Sequence, residues 1–104
     1  MDENRRPNRK ELDVFSEASN YAIVRMEGRN YPGCVIQGDS LSILVRGSKA
    51  LLNLIRQTAN QEAIELAEEL HDALDGRLVH YERVLAAHGI DLPYRPIPRD
   101  ESGA

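Results

Sequence analysis

The sequence predicts an α+β domain: an antiparallel β-hairpin, about 21–26 and 33–37, packed on two helices, about 40–58 and 61–88. Three observations carry this reading. Two short apolar runs rich in β-branched residues flank a glycine-containing turn too short for a parallel crossover. An apolar repeat near 3.6 residues begins after Asp39 and resumes after Asn60. The chain of 104 residues has room for one modest core, and its ends are too polar to add to it.

Residues 1–10 set Arg5, Arg6, Arg9 and Lys10 against Asp2 and Glu3, with little apolar content. Pro93, Pro96 and Pro98 punctuate the other end. Such segments bury too little apolar surface to offset the entropy of ordering them, so residues 1–19 and 95–104 are expected to be mobile tails around a single domain, 20–94. Within the first tail, Glu11 to Phe15 could form a helical turn or a docking arm.

Tyr21 to Met26 reads as the first strand and Glu27 to Asn30 as the turn. Gly33 to Gln37 is the second strand, with Pro32 at its start, where a missing N–H costs no ladder bond. Cys34 is expected to be a buried strand residue. Gly38, Asp39 and Ser40 then form a structural hinge and helix cap, Asp39 accepting from free amides of the first turn. Leu41, Leu44, Ser48, Leu51 and Ile55 give the helical stripe, with Val45 and Leu52 beside them, and Gly47 weakens it by about 1 kcal/mol. The alternative is a third strand through Leu41, Ile43 and Val45. Asn60 is the next N-cap, and Ala63, Ala67, Leu70, Leu74, Leu78, Tyr81, Leu85 and His88 place one stripe along a last helix closed by Gly89. Asp75-Gly76 is a possible bend. A helix of that length in so small a domain suggests that a second copy covers its overhang, hence a homodimer.

The net charge is 13 − 17 = −4, with a basic middle helix beside an acidic last one. With no basic stripe, nucleic acid is a poor candidate partner. A single cysteine excludes an internal disulfide framework. No apolar stretch follows the early arginines and none approaches a span of ~20 residues, so neither a signal peptide nor a membrane anchor is expected, and the cytoplasm is the expected location.

Gly38-Asp39-Ser40-Leu41-Ser42 resembles the nucleophile block of a large class of serine hydrolases, in which the serine lies at a strand-to-helix turn. That resemblance stops after five residues. Neither a Gly-x-Asn-Asp block nor an Asp-x-x-His follows, and Ser40 lacks a visible base, so a capped helix start is the preferred reading and an esterase the lesser one. His71, His80 and His88 are nine and eight residues apart, the wrong spacing for a shared zinc face. Glu68-x-x-His71 matches half of a di-iron motif without the other half. No cofactor and no catalytic or metal-binding residue is therefore assigned. Glu65, Glu68, Glu69, Asp72 and Asp75 line an acidic face of the last helix, a candidate surface for a protein partner.

A wider resemblance rests on Asn20-Tyr21-Ala22, Tyr31-Pro32-Gly33, Gln37 to Ser42, Gly76-Arg77-Leu78, His80-Tyr81-Glu82, Leu85 and His88-Gly89-Ile90 with Leu92-Pro93-Tyr94. Together they resemble a family of short uncharacterised bacterial proteins, a domain of unknown function. That resemblance implies a bacterial source and a stand-alone domain, and it carries no activity. The expected function is a small non-enzymatic protein-interaction module, such as an acidic antidote to a basic toxin or a regulatory protein. A structural homodimer is the alternative.

Overall fold

The computed structural model describes residues 7–17 and 20–99. It contains a three-stranded antiparallel sheet and two helices. The strands are β1, Asp13–Ser16, β2, Ile23–Arg25, and β3, Gly33–Cys34, in the order β1-β2-β3. The helices are α1, Gly38–Ile55, and α2, Gln61–Ala87.

The expected hairpin is β2-β3, pairing Ile23 with Cys34 and Val24 with Gly33. Gly28 takes φ 84° in its turn, a backbone conformation that glycine adopts without steric cost. The third strand is the addition. Asp13 to Ser16, read as a helical turn or arm, pairs with β2 through an irregularity between Val14 and Ser16. Alternation explains why a strand forms there: Asp13 pairs with Arg25 across the sheet, the carboxylate receiving the guanidinium at 2.7 Å, while Arg25 also lies 5.3 Å over the Phe15 ring. Residues 1–6, 18–19 and 100–104 of the expected tails lie outside the described residues. Cys34 is exposed, contrary to expectation, on β3, an edge strand of two residues that are both exposed.

Residues 41–46 are helical, which settles the strand alternative against itself: Leu41, Val45, Ser48 and Leu52 repeat at four, three and four residues and all are buried. Asn60 caps α2 as expected, its side chain accepting from Ala63 N–H at 3.0 Å. At the other end Gly89, φ 70°, donates to Ala86 and Ile90 donates to Leu85, a Schellman closure. Asp75-Gly76 does not interrupt α2, whose 27 residues run about 40 Å. Gly76 is exposed with open space where a Cβ would stand, so Gly76→Ala is expected to stabilise the fold by about 1 kcal/mol in urea unfolding. No gain would mean that α2 is not continuous at this point.

The core lies between the helices. Leu41, Val45 and Leu78 form its centre, with Leu74, Tyr81, Tyr94 and Ile97 packed against it. The sheet touches the helices sparsely by comparison. No helix is long and apolar enough to cross a membrane among the described residues.

Candidate functional site

The hydrolase-like block forms the start of α1, two residues earlier than expected. Gln37 occupies the N-cap position without a side-chain bond, so Asp39 belongs to the first turn and does not cap it. Its carboxylate accepts from the Ser40 N–H at 2.8 Å and keeps its favourable place near the positive end of the helix. Gly38 is needed for close approach: a Cβ there would fall inside the Tyr81 ring. The hinge is therefore a contact point between the two helices. Sequence periodicity placed Tyr81 on the core stripe but carried no signal for its partner.

The serine that meets a histidine is Ser48. Its Oγ lies 2.8 Å from His71 Nδ1 and 2.8 Å from the Val45 carbonyl. One hydroxyl has one proton; donated to Val45, it leaves His71 Nδ1–H to donate to Ser48. His71 then keeps Nε2 as an acceptor. Buried side-chain polar atoms in the described residues all have partners.

His71 lines a cleft of about 340 Å3 between α1, α2 and residues 97–99, together with Lys49, Asp72 and Asp75. The predicted acidic face divides around it. Glu68 accepts from Arg56 at 3.2 Å, and Asp75 accepts from Arg99 at 2.8 Å. Glu65, Glu69 and Asp72 stay exposed, Glu65 accepting from Gln61. Two of the five acids are thus neutralised by the chain itself, which no pattern in the last helix foretold.

Arg99 belongs to a segment expected to open the C-terminal tail. In the structure residues 94–99 cross the helix pair. The Tyr94 hydroxyl donates to Glu82, Arg46 donates to the Arg95 carbonyl at 2.9 Å, and Arg99 also reaches Glu82 at 3.0 Å. Burial, then the bond to Glu82, pushes the Tyr94 hydroxyl well above the ordinary phenol range. Hydrogen bonds to Asp75 hold Arg99 more firmly protonated than a free guanidinium. Tyr31, in contrast, is exposed on its loop. Among the described residues no three His, Cys, Asp or Glu side chains converge as a metal site.

The opposite side of α1 is apolar as well. Ile43, Gly47, Ala50 and Leu54 repeat at four, three and four residues, the same spacing as the buried stripe, with Leu44 and Leu51 beside them. All six are exposed, Ile43 at 68 % and Leu54 at 63 %. Leu66 and Leu70 of α2 are exposed too.

No curated protein and no solved structure matches the chain. Residues 7–94 match the model of a family of unknown function (DUF6959), and the chain belongs to that family.

Proposed function

We propose that this protein is a non-enzymatic interaction module that works as a homodimer closed through the outward face of α1. The observation that carries this reading is a helix apolar on two opposite sides. A helix of that kind is ordinarily covered on both, and only one side is covered among the described residues. A second copy suits the uncovered side for an electrostatic reason. The chain carries −4 overall, yet Ile43, Leu44, Gly47, Ala50, Leu51 and Leu54 bring no charge to the contact. Two such helix pairs meeting on a two-fold axis would form a four-helix layer, each copy offering the same patch.

Light scattering at tens of micromolar is expected to return twice 11.7 kDa for the wild type. Ile43→Asp with Leu54→Asp is expected to return 11.7 kDa with helical circular dichroism retained. A wild type that stays at 11.7 kDa at every concentration would end the proposal. It would also return weight to a different, basic protein partner docking on Glu65, Glu69 and Asp72. Catalysis by Ser40 draws less support, since the Nδ1 of His71 is engaged by Ser48.

A further inference from the structure

We propose that the cleft between α1 and α2 is a peptide-docking groove which the chain fills with its own residues 94–99. Its ligand class is an extended peptide carrying an apolar residue two positions before an arginine.

The intramolecular segment shows how such a peptide is held. Ile97 packs on the Leu41, Val45 and Leu78 cluster, and Arg99 forks onto Asp75 and Glu82. Ahead of Ile97 the groove holds main chain through the Arg46 guanidinium on the Arg95 carbonyl, and the Tyr94 side chain packs on the same cluster and donates to Glu82. Pro96 and Pro98 flank Ile97 with fixed φ and no N–H to satisfy, as suits a segment held by side-chain anchors and carbonyls. Alternate side chains entering pockets while the main chain is fixed is a general mode of peptide recognition.

Two further observations separate a groove from ordinary tail packing. The cleft extends past the segment: Ile97, Pro98 and Arg99 supply one wall, and about 340 Å3 stays open toward Lys49, His71 and Asp72. The holding residues Arg46, Asp75, Leu78 and Glu82 lie within the stretch that matches the family's model, 7–94, whereas Arg95 to Arg99 lie beyond it. An attached segment competes at an effective concentration on the order of millimolar, so an external peptide with the same anchors binds weakly until the internal one is loosened. This groove is on the side of α1 away from Ile43 and Leu54, so its test stands apart from that of the dimer.

The probe is a fluorescein-labelled hexapeptide with the sequence of residues 94–99, titrated into the full chain. Binding is expected to be at least ~10-fold tighter to an Ile97→Ser, Arg99→Ala chain than to the wild type. Adding Asp75→Asn and Glu82→Gln is expected to cancel that gain. Equal affinity for the two chains, or no saturable binding to a variant that keeps its helical circular dichroism, overturns the proposal. Should that variant lose its helices, the unlabelled peptide is added to the 15N-labelled wild type. The amide signals of Arg95, Ile97 and Arg99 are then expected to move toward unstructured positions while those of α1 and α2 persist. Signals that stay in place overturn it.

Discussion

Leu78→Ala is expected to lower unfolding free energy by about 2–5 kcal/mol, read as a fall in the urea midpoint at unchanged slope. Leu78 is fully buried, at 0 % exposure, at the centre of the only packed cluster among the described residues. Truncation there removes apolar contacts and leaves a void that helices fixed on either side close only in part. For a domain of this size that is a large share of total stability. A change below 1 kcal/mol would mean that the core lies elsewhere.

Gly38→Ala is expected to destabilise by about 1–3 kcal/mol, because the added methyl competes with the Tyr81 ring for one space. The natural control is Tyr81→Leu. Combined with Gly38→Ala it should cost less than the sum of the two single changes, since the smaller side chain vacates the site. Additive costs would show that Gly38 and Tyr81 are not in contact. The expectation is contrary to helix propensity, in which alanine is better than glycine; a close approach outweighs a preference of about 1 kcal/mol.

The outline of the fold was legible because periodicity and capping are local. The Asn60 cap and the Gly89 closure each depend on neighbours within a few residues, and each is where the sequence placed it; the repeat from Leu41 is helical as expected, but it buries Val45 and Leu52 and leaves Leu44 and Leu51 exposed. β1 was missed since a four-residue strand has no stable existence without its partner, and its pairing is a long-range fact. The cap expected at Asp39 lies two residues earlier, at Gln37, as happens at helix ends when a glycine can serve as the first helical residue. The candidate site was less legible. Pairing of Ser48 with His71, and of Arg99 with Asp75, joins residues 23 and 24 positions apart, and no spacing rule reaches that far. The outward stripe of α1 was in plain view, but apolar residues were assigned to one face when the helix has two.

The sparse contact between sheet and helices means that the molecule has one core yet two units of order. Helices of 18 and 27 residues share that core, whereas strands of four, three and two residues rely on each other. Restoring forces in the two parts are then separate: a strand can open without exposing Leu78, and a weakened core need not loosen β2 from β1 first. Circular dichroism of this protein accordingly follows the helix pair and is nearly blind to its sheet.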